Sequence, residues 1–435
     1  MQELNLTPSQ KEAVKKCLDW YHAGCQKQVF RLYGAAGTGK SFIVGVMINA
    51  LGIDLDEVAF ATPTGKAATV LMQRFDYPHI STLCHLIYVP YTKDKLILTD
   101  KNEIESIEST TKFSLKESLE YSLIVLDEVS MVDKDTMKDL LSFGIPVIAI
   151  GDPYQLPPIN DKPLDPNGAD ALLTEIVRQA ADNPIIKIAT NIRHGILPQP
   201  GNYDNKVIVV QKSKLTSEMQ MQLMLAADQV ICGLNKTRRM LNRKIRQRLG
   251  FTEKLPMKND KLICKSNEPL VMVTNNINLC NGMIGKNIID STNVGDNLTK
   301  VKFVPDICKD STHHLLCDAG AFLSDEFAYD AHWLAYKMRN GTYVARKKVI
   351  DEMMIYDRKL YNQLTAENRR NKSISFGKAL ITRFDFAYAI SCHASQGREF
   401  DNVVVIDESY AFRSNAMRWL YTAVTRAKKK LILIV

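Results

Sequence analysis

The sequence lacks the features that would place it in a membrane or outside a cell. No run of apolar residues approaches the roughly 18 that a membrane-spanning helix needs. The first residues, MQELNLTPSQKE, lack the basic and then apolar regions of a secretory signal. The nine cysteines are odd in number and include no C-x-x-C pair, which argues against a disulfide framework. We therefore expect a protein of a reducing cytoplasm with no membrane partner.

Positive charge is concentrated in one segment of a chain whose composition is otherwise ordinary for about two to four globular domains. Lys236 to Arg248 holds seven basic residues and no acid, although the net charge of all 435 residues is only +8. Leu241, Ile245 and Leu249 recur at i, i+4 and i+8, which predicts an amphipathic helix with a basic outer face. Such a face is either a solvated helix surface or a contact for a polyanion such as nucleic acid.

The segment GAAGTGKS lies between an apolar run, Val29 to Tyr33, and a helical pattern, Phe42 to Leu51. Its glycines let backbone N–H groups converge on phosphates, and the following helix adds its N-terminal dipole. Lys40 can reach the β and γ phosphates, and the Ser41 hydroxyl suits Mg²⁺. The predicted nucleotide-binding residues are Gly34, Ala35, Ala36, Gly37, Thr38, Gly39, Lys40 and Ser41.

Two acids follow a second apolar run about 90 residues downstream, Leu123 to Leu126. Four apolar residues before two carboxylates predict a buried parallel strand with acids at its carboxyl end, where ligands bind in open α/β sheets. Asp127 is then the residue for Mg²⁺, and Glu128 is the base that polarises the attacking water. Together with the phosphate loop, these acids predict hydrolysis of a nucleoside triphosphate.

Strand and helix patterns alternate along the chain, which predicts an α/β protein with parallel sheets. The predicted strands are Glu57–Ala61, Leu123–Leu126, Val147–Ile150, Gln229–Cys232, Val403–Ile406 and Leu431–Val435. Leu86 to Ser118 interrupts the first set with a polar stretch in which KLIL and EIES flank TDKN like a hairpin. Lys265 to about Ala379 is rich in short β-like runs and predicts an inserted β domain.

Nine motifs follow one another in a fixed order over nearly the whole chain. They are LTPSQ (Leu6–Gln10), the phosphate loop, FATPTGKAA (Phe60–Ala68), STLCHL (Ser81–Leu86), LDEVSM (Leu126–Met131), GDPYQLPPI (Gly151–Ile159), LLTEIVRQ (Leu172–Gln179), YAISCHASQGREFDNVVV (Tyr388–Val405) and LYTAVTRAKKKL (Leu420–Leu431). In this order the sequence resembles a superfamily 1 helicase of subgroup B, the group of the RecD-like enzymes and the phage Dda helicase.

The resemblance implies two RecA-like parallel-sheet domains with two insertions. It assigns 1–85 and 119–195 to the first RecA-like domain, 86–118 to a hairpin called the pin, 196–264 and 380–435 to the second RecA-like domain, and 265–379 to a β-rich SH3-like insertion. Ala35 departs from the family pattern, in which proline is common, and this should leave the loop less stiff without removing a ligand.

The resemblance also implies roles for side chains outside the phosphate loop. Gln10 would read the adenine edge, Gln155 would sense the γ-phosphate, and Glu399 would meet the ribose. Arg178 and Arg426 would be arginine fingers, which neutralise charge on the transferred phosphoryl group. Because Arg426 comes from the second RecA-like domain, the site would be complete only when the two domains close.

A single-strand groove is implied by further matches to the family. Its residues would be Pro63, Thr64, Thr82, His85, His393 and Ser395. Hydroxyls, imidazoles and backbone amides can bind phosphates there while leaving the bases unread. On the hairpin, Tyr88, Tyr91, Leu96 and Ile97 are candidates for stacking on the separating base pair, although a plain hairpin core fits them as well.

The function implied is an ATP- and Mg²⁺-dependent DNA helicase that moves 5′→3′ on single-stranded DNA and unwinds duplexes at junctions. The resemblance favours a monomer in a phage-type replication, recombination or repair setting, in the host cytoplasm if phage-encoded, with single-strand-binding or replication proteins as partners. Two alternatives stay open: a single-strand translocase or RNA-preferring relative without robust unwinding, and an inactive helicase-like scaffold. A scaffold would not need six groups for phosphoryl transfer, and the sequence has them at Lys40, Ser41, Asp127, Glu128, Arg178 and Arg426.

Overall fold

The computed structural model describes residues 6–98, 104–158, 162–177, 182–274, 277–295, 298–319, 322 and 381–435. The chain divides into two compact units. The first unit comprises Met1–Ile87, Lys116–Leu241 and Ala389–Val435, and the second comprises Tyr88–Leu115 and Asn242–Tyr388. Among the helices in the described ranges, none combines the length and apolarity needed to cross a membrane.

The α-helices of the described residues each carry a chain-order label. They are α1 Pro8–His22, α2 Lys40–Leu51, α3 Gly65–Arg74, α4 Leu83–Ile87, α5 Lys134–Leu141, α6 Pro184–Arg193, α7 Ser217–Leu225, α8 Asn235–Arg248, α9 Cys392–Ser395 and α10 Ala416–Val424. Most begin where a polar side chain accepts a backbone N–H, as Thr7 does for Gln10 in α1 and Asp133 does for Thr136 in α5.

The strands are numbered in the same way. The first twelve are β1 Val29–Gly34, β2 Val58–Thr62, β3 Ile80–Thr82, β4 Tyr88–Leu98, β5 Ile104–Leu115, β6 Leu123–Leu126, β7 Val147–Gly151, β8 Ala171–Leu173, β9 Gly201–Tyr203, β10 Val207–Val210, β11 Gln229–Cys232 and β12 Lys261–Cys264. The others are β13 Glu268–Thr274, β14 Ile277–Leu279, β15 Ile284–Asn287, β16 Asn293–Gly295, β17 Leu298–Pro305, β18 His313–Asp318, β19 Ile381–Thr382, β20 Phe384–Phe386, β21 Ala389–Ser391, β22 Phe400–Ile406 and β23 Ala427–Ile434.

The first sheet has six strands in the order β3-β2-β6-β7-β1-β8, and every pairing is parallel. Strands β2, β6 and β7 are buried along their whole length, as expected for a parallel sheet covered on both faces. The carboxyl ends of β1, β6 and β7 therefore lie side by side. This edge carries the phosphate loop, Asp127 and Asp152.

The second sheet has the order β21-β11-β22-β23-β10-β9, in which only the β9–β10 pairing is antiparallel. Its central strands are continuous apolar runs such as Val403 to Ile406. Helix α10 immediately precedes β23 and is buried through Trp419 to Val424. The predicted pair of parallel sheets is confirmed.

Most strand pairings in the second unit are antiparallel, although β18 and β19 pair in parallel. Strands β4 and β5 form the predicted hairpin, with one register irregularity between Ile97 and Leu98, and its tip, 99–103, lies outside the described residues. The same is true of the side chains of Tyr91, Leu96 and Ile97. Tyr88 is half-buried, with its ring centroid 6.0 Å from that of Phe113.

A third sheet in this unit has the order β19-β18-β17-β15-β12-β20, with β16 added on β17. Strands β12 and β20 pair with each other, although the sequence resemblance assigns both segments to the second RecA-like domain. A four-residue apolar run such as KLIC fits a parallel or an antiparallel strand equally well. The inserted sheet thus begins before residue 265. Its SH3-like character and the other domain boundaries stay predictions.

Helix α8 forms where the basic segment predicts it, but two of its basic side chains face inward. Arg238 and Arg246 are buried, whereas Leu249, assigned to the apolar face, is 48% exposed at the helix end. Arg246 makes a two-pronged ion pair with Asp260, at 2.9 and 2.8 Å, and its guanidinium lies 3.8 Å from the ring centroid of Phe386. The basic outer face is therefore narrower than the sequence indicates.

The N-terminal side of α8 is held by a carboxylate from a distant part of the first unit. Glu408 is buried and accepts backbone N–H groups from Gly233 at 2.7 Å and Leu234 at 2.8 Å. It also accepts the Thr237 hydroxyl at 2.5 Å. A carboxylate in this position satisfies backbone donors and complements the positive end of the helix dipole.

Candidate nucleotide site

The phosphate loop joins β1 to α2, as the sequence predicts. Gly37 and Gly39 have φ angles of 81° and 79°, a region that residues with a Cβ rarely adopt. A Cβ on Gly39 would also lie 2.8 Å from Nε2 of Gln10. The Thr38 hydroxyl donates to the Ala35 carbonyl at 2.9 Å and fixes the turn from inside. Glycine is thus required here both by backbone conformation and by the close approach of α1.

Lys40 opens α2 and extends back over the loop that precedes it. Its ammonium donates to the carbonyls of Gly34 at 2.8 Å and Ala35 at 2.9 Å. These bonds hold the positive charge at the mouth of the loop, where the glycine backbone can approach an anion. The arrangement supplies a cation and converging N–H groups to one phosphate-sized position.

A cavity of about 380 Å³ opens above this loop. From the first sheet it is lined by the loop, by α3 and by the two acids that follow β6. From the second sheet it is lined by Gly397 to Glu399 and by Thr425 and Arg426. One wall is apolar and consists of Phe42, Ala67, Val70, Leu71 and Phe75. The cavity therefore has a charged end and an apolar side, a combination that suits a nucleotide.

Asp127 and Glu128 stand at the carboxyl end of β6 and line this cavity. Burial, followed by the charge of the neighbouring Asp127, raises the pKa of Glu128 to about 7, against the opposing charges of Arg426 and Lys40. Burial also raises the pKa of Asp127. Glu128 has a φ of 55°, a strained conformation for a residue other than glycine. A carboxyl group that titrates near neutrality has the proton affinity that a general base needs.

Arg426 reaches the cavity from the segment between α10 and β23. It is 5% exposed, and its guanidinium donates to the carbonyls of Thr422 at 3.0 Å and Arg398 at 3.1 Å and to the Thr425 hydroxyl at 3.1 Å. These bonds fix the orientation of the guanidinium beside the acids. Arg178, the other predicted finger, lies outside the described residues.

Three further predicted residues surround the loop and the cavity. Gln155 is buried and lines the cavity, and its Oε1 has no partner among the described residues. Gln10 is buried against the loop, where its Nε2 donates to the Thr38 carbonyl at 3.1 Å and its Oε1 accepts the Thr7 N–H at 3.0 Å. Glu399 lines the cavity and pairs with Arg74 at 2.6 Å. The amide of Gln10 is thus already engaged by backbone.

The predicted single-strand residues follow the carboxyl ends of β2, β3 and β21. Thr64 and Thr82 use their hydroxyls to accept backbone N–H groups, from Ala67 at 3.3 Å and His85 at 3.2 Å. Pro63 is half-buried and His85 is exposed. Helix α3, which follows β2, contacts α9 through a hydrogen bond from the Lys66 ammonium to the Ala394 carbonyl.

The two residues from α9 differ in how accessible they are. His393 is half-buried, and burial lowers the pKa of its imidazole. Ser395 is fully buried, and its hydroxyl donates to the Cys392 carbonyl at 2.6 Å. The Ser395 hydroxyl is therefore engaged within α9, and its place in the single-strand groove stays a prediction. A serine in the last turn of a helix satisfies its hydroxyl on a preceding carbonyl, which the motif alone does not reveal.

Several residues at the site were not singled out by the sequence. Asp152 accepts the Tyr421 hydroxyl at 2.7 Å, and the Ala36 N–H donates to the same hydroxyl at 2.8 Å. The backbone of Leu156 donates to Thr422 at 2.9 Å and accepts from Gln396 at 3.0 Å. All lie in or beside motifs that the sequence does display, but their partners are more than 200 positions away.

Two protein families match the ends of the chain. A family described as an AAA domain matches residues 5–211, and one described as a UvrD-like helicase C-terminal domain matches residues 386–434. They coincide with the segments that carry the phosphate loop and Arg426.

Known proteins are similar to this chain over different lengths. An uncharacterized protein of Methanocaldococcus jannaschii is 24% identical over 459 aligned residues, which cover 93% of this chain and 36% of that protein. The ATP-dependent RecD2 DNA helicase of Deinococcus radiodurans is 32% identical over 182 residues, which cover 39% of this chain and 22% of the helicase. The chain therefore spans only about a fifth to a third of the length of these relatives.

Among solved structures, Bacteroides Pif1 bound to single-stranded DNA has a TM-score of 0.47 at 18% identity, with 100% of this chain and 93% of that chain covered. A structure of two coordinating Pif1 helicases at forked double-stranded DNA has a TM-score of 0.49 at 17% identity, with 99% and 92% covered. The family matches at both ends of the chain and the RecD2 relative agree with the resemblance to the superfamily 1B helicases.

Proposed function

We propose that this protein is an ATP-dependent DNA helicase that moves 5′→3′ along single-stranded DNA and separates duplexes. One observation carries the proposal: Arg426, from the second sheet, lines the same cavity as Lys40 and Glu128, from the first. A site divided between two sheets is made and broken when they move relative to each other. Hydrolysis can thereby be coupled to movement.

The cavity suits a nucleoside triphosphate with Mg²⁺. Ser41 and Asp127 both line it and offer oxygen atoms, which hard divalent cations prefer. When bound, Mg²⁺ would neutralise charge between the β and γ phosphates. The phosphate loop would hold the phosphates, and Gln155, whose amide oxygen is unpartnered, would meet the terminal phosphate or its water.

The chemical step requires a base beside the attacking water and positive charge near the phosphoryl and leaving oxygens. Glu128, with its raised pKa, would take a proton from the attacking water. Lys40 and Arg426 would stabilise the charge that develops on the phosphoryl oxygens. Arg178 is proposed as a second finger on the resemblance alone. Glu399 and Gln10 are proposed for ribose and adenine, and each would first have to release its present partner.

Single-stranded DNA is the proposed track. Pro63, Thr64, Thr82, His85 and His393 would contact its phosphates, and the β4–β5 hairpin would separate the strands. One relative supports this choice, because it is named a DNA helicase. Polarity, strand separation, a monomeric state, a cytoplasmic setting and partners among single-strand-binding or replication proteins are proposed from the family resemblance.

Strand displacement on two matched duplexes tests the proposal. One duplex carries a 5′ single-stranded tail and the other an identical 3′ tail, and each is followed with and without ATP and Mg²⁺. We expect displacement only from the 5′-tailed duplex and only with ATP. Displacement from the 3′ tail alone would reverse the polarity, whereas DNA-stimulated hydrolysis without displacement would favour a single-strand translocase.

The Lys40→Ala variant and a matched RNA substrate complete this experiment. Lys40→Ala removes the ammonium at the loop and should abolish turnover. If the variant still hydrolyses ATP in a DNA-stimulated manner, the phosphate-loop assignment fails. Stronger displacement on a 5′-tailed RNA duplex would move the proposed substrate from DNA to RNA.

A further inference from the structure

One tyrosine connects the phosphate loop to the second sheet. Tyr421 lies on α10 and is 2% exposed. Its hydroxyl accepts the N–H of Ala36, in the third position of the phosphate loop, at 2.8 Å. The same hydroxyl donates to Oδ2 of Asp152, at the end of β7, at 2.7 Å. A single buried group on α10 thus bridges two segments of the first sheet, the phosphate loop and the end of β7.

The same face of α10 holds the rest of the loop that begins at Asp152. Arg418, three residues before Tyr421, donates to the Pro153 carbonyl. The Thr422 hydroxyl accepts the Leu156 N–H at 2.9 Å. Residues at i, i+3 and i+4 share one face of a helix, so α10 contacts this loop at three successive points. Between those points lies Gln155, whose amide oxygen is unpartnered.

The protonation state of Tyr421 fits this bridging role. Burial, followed by the charge of Asp152, raises the pKa of the phenol well above its usual value. The hydroxyl therefore keeps its proton at neutral pH and donates it to the carboxylate, while an oxygen lone pair accepts from Ala36. A hydrogen bond to an ionised group in a buried place is one of the stronger kinds.

We propose that Tyr421, assisted by Thr422, is a positioning residue for ATP turnover. Its hydroxyl sets the distance between the phosphate loop and the Asp152–Leu156 loop, so that Gln155 meets the terminal phosphate only while α10 is docked. This inference rests on the proposed function and adds to it the path by which the second sheet controls the first. Nucleotide binding to the phosphate loop does not need the bridge, whereas turnover does.

The Tyr421→Phe variant tests the inference, because it removes only the bridging oxygen. Steady-state hydrolysis is measured over a range of ATP concentrations, with and without single-stranded DNA. We expect the DNA-stimulated kcat to fall at least about tenfold, since small misplacements of catalytic groups have large kinetic effects. The KM for ATP should stay within about threefold, because uniform binding is retained.

The chain offers a closely matched control in its second unit. Tyr388 also donates to a buried carboxylate, Asp260, at 2.9 Å and accepts a backbone N–H, from Lys261, at 3.2 Å. Tyr388→Phe removes the same pair of bonds away from the nucleotide cavity and should keep the wild-type kcat. Thermal unfolding of both variants separates lost stability from lost positioning.

The outcomes are distinguishable from failure of the proposed function. If the wild-type protein shows no DNA-stimulated hydrolysis, the proposed function fails first. If the wild type is active and Tyr421→Phe matches Tyr388→Phe in kcat, the bridge has no role in turnover and the inference is overturned. A rise in KM at unchanged kcat would equally overturn it. Should Tyr421→Phe not fold, Thr422→Val replaces it, with a lower kcat expected and a wild-type kcat contradicting the inference.

Discussion

At the scale of single residues, Glu128 lowers the stability of the fold in two ways, through its backbone conformation and through the burial of its carboxyl group. Glu128 combines a left-handed backbone with burial beside a second acid and beside Asp152. Burial disfavours the ionised form, so the protein gives up stability to keep a carboxyl group with a raised pKa at the position proposed for the base. The free energy of unfolding should therefore depend on pH through Glu128.

Replacing Glu128 with glutamine should abolish turnover while stabilising the fold at alkaline pH. The folded-state pKa is about 7 against 4.5 for the free group, so the folded protein binds more protons between these values. Stability from this group therefore falls as pH rises through that window. At pH 8 the variant should be more stable by up to about 3 kcal/mol, and at pH 4 by almost nothing. Denaturant unfolding at both pH values measures the difference.

The ATPase activity of the wild-type protein should also depend on the protonation of Glu128, but it should rise with pH where the stability falls. As pH falls through about 7, Glu128 gains a proton and can no longer act as a base. We expect kcat/KM, which reports the free enzyme, to decline about tenfold for each pH unit below that point. A flat profile between pH 5.5 and 8 would remove Glu128 from the role of base.

Arg426 should matter for turnover and little for nucleotide binding. The alanine variant should bind ATP with near wild-type affinity but lose about 10³-fold in kcat, because the finger acts on charge that develops in the transition state. Arg426→Lys keeps the charge but not the planar fork and should recover only part of this loss. Equilibrium binding of a fluorescent nucleotide and steady-state hydrolysis separate the two effects. Normal turnover in Arg426→Ala would rule out a site shared by two sheets.

Sequence motifs predict functional residues whose role follows from the neighbouring residues in the chain. They do not predict residues whose role depends on a contact with a distant part of the sequence. Lys40, Asp127 and Glu128 follow from a strand, a loop and a helix read in order. Tyr421 and Asp152 are ordinary residues until the fold brings them within 2.7 Å of each other. The buried hydroxyl of Ser395 illustrates the converse, because a matched motif position does not fix which way a side chain points.

At the scale of elements, the sequence predicts where a helix or a strand forms, but it does not predict which strand a short apolar strand pairs with. The basic helix and the six strands of the predicted sheets form at or within a few residues of their expected positions. The pairing of strand β12 with β20 does not follow from the sequence, because four apolar residues carry no information about their pairing partner. The inward turn of Arg246 was also invisible, since Asp260 and Phe386 are supplied by other segments.

Glu408 provides an element-scale test that is independent of the nucleotide site. Glu408→Ala would leave two backbone N–H groups at the start of α8 and the Thr237 hydroxyl without their acceptor. We expect a loss of about 2–3 kcal/mol in the free energy of unfolding. The control is Glu12→Ala, which breaks only an exposed i,i+4 pair with Lys16 and should cost under about 0.5 kcal/mol. Equal effects of both variants would contradict the capping role.

At the scale of the whole molecule, the two sheets of the first unit each contribute one side of the candidate nucleotide site. The Ala36–Tyr421 and Arg74–Glu399 contacts both join elements of the first sheet to elements of the second. Hydrolysis that weakened either contact would free the second sheet to move relative to the first. An enzyme with its catalytic groups on a single sheet would have no such link between chemistry and displacement.

Binding to single-stranded DNA should weaken as salt rises, because contacts with phosphates release condensed counterions. Each contact contributes about 0.7 to the slope of log affinity against log salt. If the exposed face of α8 is one of the contacts, Lys244→Gln should lower the slope by about that amount and weaken binding to all sequences alike. Lys429→Gln, which removes an exposed lysine paired with Asp401 on the second sheet, should leave the slope unchanged.

Fluorescence anisotropy with a labelled oligonucleotide from 50 to 300 mM salt, a range of about sixfold, gives both slopes. Since two of the seven basic side chains in this segment are buried, an unchanged slope for Lys244→Gln would make α8 a structural helix and leave phosphate binding to the residues after β2, β3 and β21.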